Sequence, residues 1–324
     1  MNFDPWKADP SKTDPRPSLH FFSKKSCNCF WAVHNGEMLQ LVNTRDPSAV
    51  EAEVQAAYAE MFPRGDLNFI PKVFGWAVSW FRGEYRDYQA IDAHYHDLEH
   101  TLQGILCMSR LLRARHRLPA EPRLTQRMLE LGILAILTHD TGYLKKRGDN
   151  GGTGAKYTLI HVDRSIEFAG ELMLLNDFPI EEILAVQNMI RCTGVNVKLD
   201  SVQFQDPLER MVGFALGTSD LLGQMAALDY VDKLPILYLE FAEAARFSID
   251  GKMKAGGFFS SAEDLMQKTP LFWENYVRNK LNRDFAGVYR FLSDPYPDGP
   301  NYYMDRIESN IMRLRRSLTP SGKT

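Results

Sequence analysis

Cysteine is scarce in this chain. Cys27, Cys29, Cys107 and Cys192 are the only four among 324 residues, too few and too scattered for a disulfide framework. A Cys-type zinc site does not follow from Cys27-x-Cys29 either, because no second pair accompanies it. Long apolar runs are missing: none approaches the roughly 18 residues that a bilayer span needs. The opening stretch MNFDPWKADPSKTDPRPS is polar and proline-rich, without the apolar core of a secretion signal. Charge of one sign is missing too. A formal net charge of -3 gives no electrostatic pull toward nucleic acid or an anionic membrane. The expectation is a cytoplasmic protein with reduced thiols that binds neither nucleic acid nor membrane; a homodimer is compatible with this composition.

β signals are nearly absent. The exception is Cys29-Phe-Trp-Ala-Val-His34, then Asn35-Gly36, then Glu37-Met-Leu-Gln-Leu-Val42. Two β-prone runs around Asn-Gly predict a hairpin, because a type I′ turn needs positive φ at both central residues. Beyond it the pattern is helical. Asp46-Pro47-Ser48 reads as a cap, and apolar residues recur at helical spacing over 49–61, 70–83, 97–116, 123–139, 158–176, 179–191, 206–228, 230–247, 261–281, 283–293 and 301–317. Breaks fall at Pro119, Gly148–Gly154, Gly194 and Pro295–Pro300. The predicted organisation is an N-terminal extension with a hairpin over 1–47, an all-α body over 48–318, and a short tail over 319–324.

Three stretches carry the chemistry. Asp92-Ala-His94-Tyr-His96-Asp-Leu-Glu-His100 leads into an apolar helix, and the spacing of His96 and His100 predicts one shared helical face. Leu131-Gly-Ile-Leu-Ala-Ile-Leu-Thr138-His139-Asp140 ends a nearly all-apolar helix on an adjacent His-Asp pair. Phe214-Ala-Leu-Gly-Thr-Ser-Asp220 sets one carboxylate in another apolar helix. Such groups are costly to bury unless they are paired or bound to a metal. Taken singly, each has a plain alternative: a histidine satisfied in the core, a capping aspartate, half of an ion pair. Imidazole with carboxylate is also the ligand set of Zn²⁺, Fe²⁺, Mn²⁺, Ni²⁺ or Mg²⁺, and the ordered recurrence in apolar surroundings favours that reading.

The order His100, His139-Asp140, Asp220 resembles the H…HD…D pattern of HD-domain phosphohydrolases. Within that superfamily, Tyr95-His96-Asp97-Leu98-Glu99-His100 resembles the YHN-x₂-H segment of class I cyclic-nucleotide phosphodiesterases, and Gly217-Thr-Ser-Asp220-Leu resembles their late aspartate segment. The resemblance covers roughly residues 92–225. It implies a helical HD-domain bundle of the phosphodiesterase type, holding one or two divalent ions and acting on a small phosphorylated substrate. It also implies roles. His100, His139, Asp140 and Asp220 would hold the first ion, and Asp140 would bridge to a second. His96 would be the general acid, oriented by Asp97 or Glu99, toward an ester cleaved by metal-activated hydroxide. His161 stands where other HD-domain branches place a histidine for the second ion; its plain alternative is a histidine at a helix start.

The chain departs from the phosphodiesterase pattern in three places. Asp97 replaces an asparagine, Tyr143 replaces a second histidine, and Lys145-Lys-Arg147-Gly-Asp-Asn-Gly-Gly-Thr-Gly154 replaces a compact RGTNN segment. A purine-binding glutamine has no evident counterpart. The basic glycine-rich loop suggests phosphate binding through Lys145, Lys146 and Arg147, with a solvated loop as the alternative. Two other functions fit the same residues less closely: a non-catalytic nucleotide-binding sensor of HD fold, and a di-iron oxygenase of that fold. His94 reads as structural, Arg191 and Thr193 as helix-end groups, Trp76, Trp80 and Phe81 as core, and Arg313–Arg316 as a solvated helix end.

Overall fold

The computed structural model describes residues 42–248 and 259–318, with the backbone of two short strands before them. Of the expected hairpin it gives the antiparallel pairing of β1 (Ala32–His34) with β2 (Glu37–Leu39). The Asn35-Gly36 turn, Cys27, Cys29 and the tail 319–324 lie outside the described residues.

The described residues are mostly helical. In chain order the helices are α1 (Pro47–Met61), α2 (Phe69–Phe81), α3 (Leu98–His116), α4 (Gln126–Thr138), α5 (His161–Leu174), α6 (Ile180–Arg191), α7 (Pro207–Met225), α8 (Tyr230–Phe247), α9 (Ala262–Phe272) and α10 (Tyr302–Leu318). Local chemistry sets the starts. Asp46 and Asp206 accept from the first free backbone N–H groups of α1 and α7, each with proline at the first helical position. Asp97 caps α3 and Thr125 caps α4 in the same way. The run expected as one helix over 261–281 is divided. After Pro270, α9 widens into π-helical turns at Trp273–Val277 and Lys280–Asp284. The run expected over 283–293 reduces to a 3₁₀ turn at Val288–Leu292 behind the left-handed Gly287.

Helices α3 and α4 form the centre. From Leu129 through Thr138 every residue of α4 is buried, and α3 is buried over most of its length. Helix α7 lies across α3 at very short range: a Cβ on Gly223 would sit 2.8 Å from the backbone of Gln103. This crossing brings Asp220 of α7 beside His100 of α3. A second close approach positions the other wall. A Cβ on Gly142 would meet the carbonyl oxygen of His161 at 1.9 Å, so the turn after Asp140 presses directly on the start of α5. Both positions require glycine for space. Trp80 and Phe81 lie in the core and Trp76 packs against it. Among the described residues no single helix is long and apolar enough to cross a membrane.

Candidate metal centre

The end of α4, the start of α3 and the middle of α7 deliver four side chains to one point. His100 Nε2 stands 3.1 Å from Asp140 Oδ2 and 3.2 Å from Asp220 Oδ1. His139 Nε2 stands 3.3 Å and 3.6 Å from the same two oxygens. These separations have a meaning. Donor atoms about 2.1 Å from a shared ion stand about 3.0 Å apart at octahedral angles and about 3.4 Å apart at tetrahedral ones. His139 Nε2 and Asp140 Oδ2 are fully buried and take part in no hydrogen bond. Buried polar atoms are rarely left so, and two of them lying among donor atoms at ligand spacing is an arrangement that suits a metal ion. His100, His139 and Asp140 form a buried group that could hold a metal ion.

The electrostatics agree. Burial disfavours charge on His100, but Asp140 and Asp220 outweigh it and lift its pKa to about 9. His139 is lifted in the same way, against burial, chiefly by Asp140. Burial would raise both carboxyl groups, yet the imidazoles hold Asp140 and Asp220 well below the usual carboxylate range. Without an ion, imidazole protons supply the positive charge that the buried Asp140 and the half-buried Asp220 demand. A divalent ion can supply it instead, with the imidazoles neutral as ligands. The outward ring nitrogen of His139 is anchored on the Ile136 carbonyl at 2.7 Å, which fixes Nε2 toward the cluster.

His96 belongs to the same site but not to the predicted helical face. Helix α3 begins only after Asp97, so His96 lies in the irregular lead-in, its ring centroid 5.4 Å from that of His100. Its orientation comes from a residue missed in the sequence. Glu240 of α8 takes His96 Nδ1 at 2.5 Å on one oxygen and the Tyr95 backbone N–H at 2.8 Å on the other. Glu240 is buried, and its pKa is lowered because His96 outweighs the penalty of burial. The candidates proposed for this task are engaged elsewhere. Asp97 caps α3 by accepting from the His100 N–H at 2.9 Å. Glu99 accepts from Thr44 and Lys233 and pairs with Arg45. The two carboxylates of α8, Glu240 and Glu243, stand three apart in an apolar helix. They were the available signal.

His161 comes within reach as well. Its Nδ1 bonds the Thr158 carbonyl at 2.7 Å, which turns Nε2 toward Asp140 Oδ1 at 3.8 Å. Burial lowers its pKa and favours the neutral ring. Tyr143 stands beside both His96 and His161. Its ring stacks on His96 at 4.5 Å and on His161 at 4.7 Å between centroids.

The basic loop is built differently from the expectation. The Lys145 ammonium is buried, 2.6 Å from Asp92 and 2.8 Å from the Gly152 carbonyl, so it faces the protein rather than a substrate. Thr153 bonds Glu243 through both its N–H and its hydroxyl, and Gly154 N–H donates to Asp92 at 2.7 Å. Lys156 pairs with Asp149, which also accepts from the Tyr157 hydroxyl at 2.5 Å. Lys146 lies 5.6 Å over the Tyr88 ring, and Arg147 bonds backbone at Asp87 and Gly83. His94 is exposed, Thr193 bonds the Ile190 carbonyl at a helix end, and Arg313 pairs with Asp232 at 2.5 Å. No protein-family model matches this chain, and neither does any curated protein or solved structure.

Proposed function

We propose that this chain is a metal-dependent phosphohydrolase of the HD superfamily, with a helical bundle of the phosphodiesterase type and a small phosphorylated metabolite or nucleotide as substrate. One observation carries the reading. His100 Nε2, His139 Nε2, Asp140 Oδ2 and Asp220 Oδ1 converge at 3.1–3.6 Å, with an imidazole held by a buried glutamate beside them. These four side chains would hold a divalent ion. Such an ion, when bound, supplies Lewis acidity that neutralises phosphoryl charge and acidifies water. The protein does the rest. Glu240 accepts from His96 Nδ1 and orients the ring, whose Nε2 would give its proton to the departing oxygen. The carboxyl group of Asp140 presents Oδ2 to His100 and His139 and Oδ1 to His161. A second ion would lie on that Oδ1–His161 side. The nature of the metal is open between zinc, iron, manganese, nickel and magnesium on this ligand set.

The test is direct. Metal-stripped protein is assayed on generic phosphodiesters, phosphomonoesters and nucleotides, before and after adding each divalent ion. Metal-restored turnover on one of these classes is the expected result. Metal uptake without turnover on any of them would sink the hydrolase reading.

A further inference from the structure

Imidazoles that hold a metal usually anchor their other ring N–H on an oxygen, which fixes the tautomer and the ring plane. His139 and His161 do so on backbone carbonyls. His100 does not: its Nδ1 is fully buried and has no protein partner, although its Nε2 faces both carboxylates. Beside it lies a cavity of about 10 Å³ lined by Tyr95, His100, Gln103, Gln224, Tyr230 and Lys233. That is room for about one water, among polar groups numerous enough to hold it.

Gln224 borders this cavity and also touches the opposite side of the centre. Its Nε2 donates to Asp220 Oδ1 at 3.2 Å and to the Asp220 carbonyl at 3.1 Å. Asp220 Oδ1 is the oxygen that faces His100 and His139. The amide oxygen of Gln224 accepts from the Tyr95 hydroxyl at 2.8 Å. The amide has one sensible orientation. Asp220 presents only acceptors there, so the NH₂ must face it, and the oxygen is left for Tyr95. Asp220 and Gln224 lie four apart on one α-helix, so their spacing is rigid.

We propose that Gln224 is a positioning residue of the metal centre, holding Asp220 directly and His100 through one water in the cavity, with Tyr95 locking the amide. This inference rests on the metal reading given above. Gln224 then sets ion affinity and ligand geometry without touching the ion.

The experiment compares wild type, Gln224→Leu and Tyr95→Phe by Co²⁺ titration of the metal-free proteins. It records the affinity, the visible Co²⁺ spectrum and the thermal midpoint without metal. Gln224→Leu should bind Co²⁺ about tenfold more weakly, the lower end of what losing such an outer partner costs, with shifted absorption bands. Tyr95→Phe should move both readouts the same way by a smaller factor. A lowered midpoint in Gln224→Leu with wild-type affinity and spectrum would overturn the inference and leave the metal centre standing. Should Gln224→Leu fail to fold, unchanged Co²⁺ affinity and spectrum in Tyr95→Phe overturns it. If wild type takes up no Co²⁺, Zn²⁺ or Mn²⁺, the metal reading and this inference fall together.

Discussion

Two charged regions of this molecule look alike in sequence and differ in the structure. The cluster of His100, His139, Asp140 and Asp220 brings donors together at ligand spacing and leaves His139 Nε2 and Asp140 Oδ2 without hydrogen bonds. The loop from Lys145 to Tyr157 does the opposite. Asp92, Asp149 and Glu243 each meet a donor, and Lys145 and Lys156 are consumed inside the protein. A fully paired network holds a shape, whereas converging unpaired donors call for a further charge. The contrast separates a candidate site from a scaffold better than composition does, since both regions are rich in charge.

The comparison can be broken by substitution. Asp140→Ala should cause the largest change, removing divalent ion uptake and cutting turnover by about a thousandfold or more, as loss of a group shared by the whole centre does. Metal content and steady-state rates check this. His96→Ala should keep the ion and lose about 10²–10⁴-fold in kcat, the range for a general acid. Glu240→Gln should show a smaller loss of the same kind, because the His96 ring loses the carboxylate that orients it, and steady-state rates check this.

Protonation sharpens the same contrast. In metal-free protein His100 is held at about 9 against an ordinary 6.5. Its contribution to stability is complete below about pH 6.5 and fades as pH rises through about 9. Asp140 and Asp220 are lowered, so their contribution is present above the usual carboxylate range and is lost only when pH falls below it. The thermal midpoint without metal should therefore decline from neutral pH toward pH 9. Ion affinity should rise over the same interval, because ion and imidazole protons compete for one place. Binding at pH 7 should release about two protons, readable by calorimetry in buffers of different ionisation enthalpy. The smallest effect on function belongs to the loop. Lys145→Met should cost about 1–3 kcal/mol in denaturant unfolding by leaving Asp92 short of its partner, with ion affinity unchanged.

Much of the centre was legible because physics makes it conspicuous. His139-Asp140 closing the buried α4, and Asp220 inside the apolar α7, are expensive unless paired or bound. The start of α1 was legible because a cap precedes a proline at Asp46-Pro47. Partners remote in sequence were not. Glu240 stands 144 residues from His96, and only the docking of α8 brings it there. The same holds for Asp92 and Glu243, which convert an apparent phosphate loop into an internal network. The His96 face was misread because Asp97 caps α3 one residue later, a choice of start that periodicity does not fix.

The central claim is the ion. Elemental analysis of wild type and Asp140→Ala, each purified alike and then equilibrated with Zn²⁺, Mn²⁺ or Fe²⁺, measures it most directly. The account predicts at least one tightly held divalent ion per wild-type chain and none in the variant. Wild type and variant both emerging metal-free from every equilibration would contradict it.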